Sequence, residues 1–297
     1  SFGAWHIKGG IGQLSVALEE RCRDLGVKFE LNSPVTRITN QGSSATGVVV
    51  NGQNIAADYV VANADAELVY NKLLPADVSA AKSERKKLAN STKSLAGFSL
   101  LLGLDNNKLA GASPTMNHHN VYFPEDYDAE FDDIFTKKIP VDDPTIYICA
   151  PRDVTMVKKE GHEAWFVLVN APRHGSDAFD WSDRKFADQY AQKIIDRIES
   201  RGIQVRNRLE LLEIRTPADL EAIVLAPGGS IYGTSSNGSQ SAFNRAKNRS
   251  PLKGLYCVGG SAHPGGGLPL VGLSAEIVAE AIITEDGGGQ LSSLDRH

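Results

Sequence analysis

Near its C-terminal end the sequence reads GLYCVGGSAHPGGGLPLVGLSAEIVAEAI, Gly254 to Ile282. A short apolar run leads through six glycines and two prolines into a helical pattern, so this stretch predicts a strand, a bare loop and a helix. Glycine admits a ligand close to the main chain. A helix N-terminus adds unpaired N–H groups and partial positive charge, which suit a phosphate or an electron-rich oxygen. A second site of this kind is predicted at Gly9-Gly10. There, KGGIGQLSVALEERCRDLGV places Leu14, Leu18, Cys22 and Leu25 on one helical stripe, and Gly26 ends the helix. Glycine-rich turns before helices also serve close packing, so neither alone identifies a ligand site; their occurrence together favours one.

Between these two ends the pattern alternates. VKFELN (Val27 to Asn32) and PVTRIT (Pro34 to Thr39) read as short strands. In TGVVVNGQNIAADYVVAN, Asn51-Gly52 separates two apolar runs and predicts a hairpin, because both turn positions favour positive φ. Tyr59 to Ala62 reads as a buried strand leading into a helix near Ala66. From about Leu74 to Ile214 the character changes. A polar helix over Ser79 to Ala89 precedes four runs rich in aromatic and β-branched residues: SLAGFSLLLGLD, NHHNVYF, PTIYICAP and EAWFVLVNAP. A long helix from Asp183 to Glu199 carries Phe186, Tyr190, Ile194 or Ile195, and Ile198 on one face. The fold class expected is α/β, with a mixed-sheet α+β lobe, helices on one side, inserted into a Rossmann-like part built from separated segments. The boundaries expected are 1–73, 74–214 and 215–284, followed by a disordered tail at 285–297 that has no periodicity.

Several function classes are disfavoured. The net charge of −5 over 297 residues, with no long basic block, argues against a nucleic-acid partner. Arg85-Lys86-Lys87 reads as a solvated helix face. Cys22, Cys149 and Cys257 are widely spaced and read as buried small hydrophobes of a reducing compartment, neither a disulfide framework nor a zinc site. No apolar run reaches the roughly 18 residues that span a bilayer. His118 and His119 are adjacent, so on a strand they would face opposite sides, and no metal site is predicted. The acidic stretch Glu125 to Asp133 lacks calcium-loop spacing and reads as a solvated helix start. His263 is the titratable side chain inside the glycine loop, where space-filling behind Pro264 competes with proton transfer.

Taken with WHIKGGIGQLSVALEE, HHNVYFPEDYDAEFDDIF, DPTIYICAP and IYGTSSNGSQSAFNRAKNRSPLKGLY, the stretch GLYCVGGSAHPGGGLPLVGLSAE resembles the bacterial-type phytoene desaturases, carotenoid desaturases of the amine-oxidase-like FAD enzymes. The likeness covers nearly the whole chain in the expected order. It implies that Gly9 and Gly10 lie by the flavin and that Val35 meets the adenine end through its backbone. It also implies that Ala62, Asn63 and Asp65 flank FAD and that Gly259, Gly260 and Ser261 follow the ribityl chain and pyrophosphate. Gly267, Leu268, Pro269 and Leu270 would bring a helix start to the flavin pyrimidine. The substrate implied is a C30 to C40 polyene, oxidised by hydride transfer to flavin N5, with oxygen or a quinone reoxidising the cofactor. His263 is the candidate proton acceptor. The location implied is cytoplasmic with peripheral attachment to a membrane surface, since the polyene partitions into lipid.

The likeness has one gap. The family opens with a βαβ unit carrying GxGxxG, which this sequence lacks, so a fragment missing its N-terminal part is expected, one that binds FAD poorly and does not turn over alone. Ketolases, isomerases and retinol saturases share the C-terminal motif. A non-catalytic carotenoid-binding module is the reading from another class, weakened by the retained glycines.

Overall fold

The structure is a computed structural model and describes residues 5–175, 177–235 and 245–287. In chain order its elements are α1 (Gly12–Asp24), β1 (Val35–Gln41), β2 (Ser44–Val50), β3 (Gln53–Ala56) and β4 (Val60–Ala62). Then come α2 (Ala66–Leu68, continued by a π-helical turn, Val69–Leu73), α3 (Lys82–Ala89), β5 (Ala96–Asp105), β6 (His119–Tyr122) and α4 (Tyr127–Phe131). β7 (Ile146–Cys149), β8 (His162–Ala171), α5 (Arg184–Glu199), β9 (Leu209–Arg215), α6 (Pro217–Val224), β10 (Leu255–Cys257) and α7 (Leu268–Glu285) complete the chain. This is the mixed α/β class the sequence predicts. Of the expected tail at 285–297, residues from 288 onward lie outside the described residues.

The chain packs as two compact units, Ser1–Leu31 with Gly97–Thr216, and Asn32–Ala96 with Pro217–His297. These groupings differ from the expected boundaries at 73 and 214. The first segment goes with the middle of the chain because Asp153 accepts the Gly9 amide and Met156 packs on Gly10. Residues 74–89 go with the other unit because Leu74, Val78, Ala81 and Leu88 are part of its core.

In the first unit a five-stranded sheet runs in the order β6-β7-β8-β5-β9, with β6/β7, β7/β8 and β5/β9 antiparallel. Strand alternation puts Phe98, Leu100, Leu102 and Leu104 of β5, Ile146 and Ile148 of β7, and Val167 and Val169 of β8 in the core. Helix α5 supplies Ala187, Tyr190, Ala191, Ile194, Ile195 and Ile198 as its buried stripe, each large apolar side chain contributing about 1.5–3 kcal/mol. Asp183 caps this helix by accepting the Phe186 amide. Phe98, Trp181 and Tyr190 meet at ring separations of 5.4 and 5.0 Å, and the Trp181 indole donates to Pro172 O. The strand expected over Val27–Asn32 does not pair, and the stripe of α1 finds no core, as none of that helix is buried.

The second unit holds an antiparallel meander, β1-β2-β3, and a parallel pair, β4 with β10. Asn51 and Gly52 turn the β2/β3 hairpin with φ of 51° and 76°, as expected, and Val50 pairs with Gln53. Ile38, Val60, Val69, Tyr70, Leu252, Leu255 and Cys257 share one core. Arg85 is committed to structure rather than to solvent. Its guanidinium donates to Tyr70 O, Pro75 O and Ala76 O at 2.7, 2.7 and 2.8 Å, satisfying carbonyls around the end of the π-helical turn.

Gly47 makes the meander sensitive to a single methyl group. A Cβ there would lie 2.0 Å from Ile55 O on the paired strand, which cannot withdraw without breaking the ladder. Gly47→Ala is therefore expected to cost about 3 kcal/mol or more, read as a lower urea midpoint, whereas Gly42→Ala, whose added Cβ meets open space, costs about 1.

Candidate functional site

The C-terminal glycine loop is built on the parallel pair. Val60, Val61 and Ala62 register with Leu255, Tyr256 and Cys257, so both strands release their following loops at the same end. The loops then touch: Gly259, at φ 93°, presses on Asn63 so closely that a Cβ would lie 2.2 Å from Asn63 Oδ1. Gly266 leaves room for Tyr232, whose Cδ1 would be 2.3 Å from an added Cβ, and Gly260 faces the backbone of Gly266. Of the predicted residues, Ala62, Asn63, Asp65, Gly259, Gly260 and Ser261 are thus brought together within one unit.

Side chains that the sequence did not single out hold this loop. Buried Asn248 shares its amide N–H groups among Cys257 O, His263 O and Ser274 Oγ at 3.0, 2.8 and 3.0 Å. Ser274 Oγ also accepts the Gly259 amide, tying α7 to the loop. Arg245 Nη1 donates to Tyr232 O and Gly260 O, both at 2.9 Å, and burial pulls its guanidinium below the usual arginine range. Ser261 Oγ accepts the Ala66 amide and Asp65 the Glu67 amide, so these polar atoms cap α2. No local signal marks Asn248 or Arg245 in the sequence, since their partners are carbonyls and a hydroxyl nine or more residues away.

Helix α7 starts at the open end of this loop. Gly267 is its N-cap, at φ 98° and ψ 144°, with no side-chain cap, and Pro269 sits in the first turn. Gly267, Leu268, Pro269 and Leu270 are all exposed. A helix start with this donor set presents main-chain N–H groups and partial positive charge, which fit an electron-rich ring edge or a phosphate. His263 is exposed beside it, its backbone fixed by Ala246 O and Asn248.

The remaining predicted residues lie elsewhere. Val35 opens β1, half-exposed and paired with Val50. Gly9 and Gly10 belong to the other unit. Gly9 donates its amide to Asp153 Oδ2 at 2.6 Å, and His6 Nε2 lies 2.9 Å from the same oxygen. Hydrogen bonds from Thr155, His6 and the Gly9 amide hold the Asp153 carboxyl well below its ordinary range.

Among the described residues, the other face of this unit's sheet is partly exposed. Opposite the core positions, cross-strand register aligns His119 with Cys149 and Phe166, and Val121 with Tyr147 and Leu168. Leu211, opposite Gly103, extends the apolar surface on β9, and Val121, Phe166 and Leu211 are all exposed. Two sequence expectations change here. His118 precedes β6, so strand alternation does not govern it, and its ring lies 4.5 Å from that of His119 instead of on the opposite side. The acidic stretch does start a helix, capped by Asp126, yet Glu130 is buried and accepts from Thr145 N and Oγ1 and from Asn170.

The family model for flavin containing amine oxidoreductases matches residues 2–130. A zeta-carotene-forming phytoene desaturase of Myxococcus xanthus is 36% identical over 95% of the chain. A hydroxyneurosporene desaturase of Rubrivivax gelatinosus is 32% identical, also over 95%. The chain is similar to carotenoid desaturases over nearly its whole length. These relatives are longer, and the chain spans about half their length, 53% and 52% for these two. The fold is shared with an oxidoreductase of Methanosarcina mazei at a TM-score of 0.60 and 16% identity, covering 92% of this chain and 55% of that one. Among the described residues, no helix is long and apolar enough to cross a membrane.

Asp153 gives the Gly9 turn a pH dependence. Its folded pKa is depressed, so its contribution is complete above the unfolded carboxylate value of about 4 and is lost as pH falls through the lower folded value. Acidification is expected to release the Gly9 amide, seen as an upfield NMR shift and faster hydrogen exchange. Asp153→Asn should abolish that acid transition, and a transition that persists in the variant would assign it to another group.

Proposed function

We propose that this chain forms part of an FAD-dependent oxidoreductase that desaturates a C30 to C40 carotenoid. The observation that carries the reading is the parallel β4/β10 pair, which joins Ala62–Asp65 to the Gly259–Ser261 turn and leads into the uncapped start of α7. Ala62, Asn63, Asp65, Gly259, Gly260 and Ser261 would hold the ribityl and pyrophosphate parts, and Gly267 to Leu270 the pyrimidine edge; Val35 is proposed to meet the adenine end of the same cofactor through its backbone. Bound FAD would supply the hydride acceptor, N5. The helix start favours the reduced, more negative flavin through its partial positive charge.

A polyene offers nothing to hydrogen-bond, so its site has to be apolar and extended. The partly exposed sheet face, with Val121, Phe166, Leu168 and Leu211, has that chemistry. Desaturation also removes a proton from the carbon next to the one losing hydride, and the exposed imidazole of His263 is the proposed acceptor. Oxygen or a quinone would reoxidise the flavin. The lipid-dissolved substrate points to peripheral attachment on the cytoplasmic side, and the consecutive exposed residues Ile223, Val224 and Leu225 are suited to it.

A second reading is oxygen insertion, favoured by the 31% identity to a 4,4'-diapolycopene oxygenase of Methylomonas. Expressing the complete gene in hosts that accumulate phytoene or lycopene separates the two. A product with a longer chromophore and unchanged oxygen content is expected; an oxygenated product would establish the second reading, and unchanged carotenoid would remove both. In the same host, Gly259→Val should abolish flavin retention and product, since its Cβ overlaps Asn63. His263→Ala should retain flavin while lowering turnover by about 10²-fold or more.

A further inference from the structure

The pair His118-His119 is not used by the reading above, and its surroundings in the first unit are chemically unusual. His119 on β6 and Cys149 on β7 are direct cross-strand partners, so their side chains leave the same face of the sheet side by side. The His118 ring lies against that of His119, and one donor atom from each of His118, His119 and Cys149 falls within 4.8 Å of the others. Cys149 is a free thiol and partly accessible. The ring of His6 stands 4.9 Å from that of His118 and is itself hydrogen-bonded to Asp153.

We propose that His118, His119 and Cys149 form a binding site for a divalent transition metal of the zinc class. Two imidazoles and a thiolate are borderline-soft donors, which select zinc or cobalt over the oxygen-seeking calcium and magnesium. Metal–nitrogen bonds of about 2.0–2.1 Å and a metal–sulfur bond of about 2.3 Å put tetrahedral ligands roughly 3.3–3.8 Å apart. The three donors reach that spacing by an ångström-scale closure, available through side-chain rotation because all three are at least partly exposed. The fourth position is left to water or to His6.

The surroundings supply orientation as well as ligands. Tyr147, the Val121 partner on β7, has its hydroxyl 2.8 Å from His119 Nδ1. With Nδ1–H donated to this phenol, Nε2 of His119 is the coordinating nitrogen, and such an outer hydrogen bond sets both tautomer and ring plane. A second group, Asp105, His162 and Glu210, is less suited. Its Glu210 already bonds His162 and pairs with Lys108 and Lys159, so a metal would have to displace two cations. Coordination at the first site would fasten the edge strand β6, and the residue before it, to β7. This inference is independent of the flavin and carotenoid reading.

The test is titration of the whole chain, reduced and free of metal, with cobalt(II) as a spectroscopic substitute for zinc. One equivalent should bind, with the intense visible bands of a tetrahedral site and a near-ultraviolet thiolate-to-cobalt charge-transfer band, and zinc should displace it. Cys149→Ser should remove the charge-transfer band. His119→Ala should weaken binding strongly, Tyr147→Phe by about tenfold or more, and His162→Ala not at all. Saturating zinc should also raise the melting temperature of the unmodified chain but not of Cys149→Ser. The proposal is overturned if the unmodified chain shows no tetrahedral cobalt spectrum, or if that spectrum survives Cys149→Ser unchanged. The first outcome needs no variant, so misfolding of a variant cannot obscure it.

Discussion

Three residues of β4 lie parallel to three residues of β10, and much of the C-terminal unit follows from that pairing. The two strands are far apart in the sequence, and bringing them together costs loop-closure entropy that one short ladder does not repay alone. The repayment comes from the surrounding core, where Val60, Leu255 and Cys257 pack with Tyr70, Val69 and Ile38. Once the pair is formed, both loops leave at one end, and steric contact does the rest. Gly259 has to be glycine because Asn63 is there, and Gly266 because Tyr232 is there. The glycine content that first distinguished this stretch therefore has a demonstrable packing cause at these two positions, quite apart from any ligand. At Gly267 the added Cβ meets open space, and the left-handed φ of the N-cap is what remains to favour glycine.

The parts legible in the sequence were those governed by local rules. Asn51-Gly52 gave the hairpin, the spacing from Phe186 to Ile198 gave α5, and the strand–glycine–helix order gave β10 and α7. The parts that were not legible depend on partners. VKFELN alternates acceptably for a strand but forms none, whereas LELLEIR, with two glutamates and outside the expected strands, forms β9 by pairing with β5. Leu14, Leu18 and Leu25 satisfy helical periodicity while remaining exposed, which shows that periodicity reports a face able to be buried and not a face that is.

The site was readable in the same uneven way. The glycines, Asn63 and Asp65 came from motif resemblance, and the structure adds why Asp65 and Ser261 are polar: they cap α2. Asn248, Ser274 and Arg245 were invisible because each bonds groups supplied by other segments: Asn248 and Arg245 donate to their carbonyls, and Ser274 Oγ accepts the Gly259 amide. Burying such groups is tolerable only when their hydrogen bonds are made, so they fix the loop to one geometry more than they add to net stability. The histidine pair departs from strand alternation for a different reason: His118 stands one residue before β6 begins.

The sheet of the first unit divides its residues by parity. Ile146, Ile148, Val167 and Val169 answer to the core, and their neighbours Tyr147, Cys149, Phe166 and Leu168 answer to whatever lies on the other side. Adjacent codons in this segment are consequently under unrelated constraints. Substitutions at one parity are filtered by folding alone, while those at the other can accumulate with the backbone unchanged. Such a surface can be re-tailored to a new ligand without the fold having to be re-established each time.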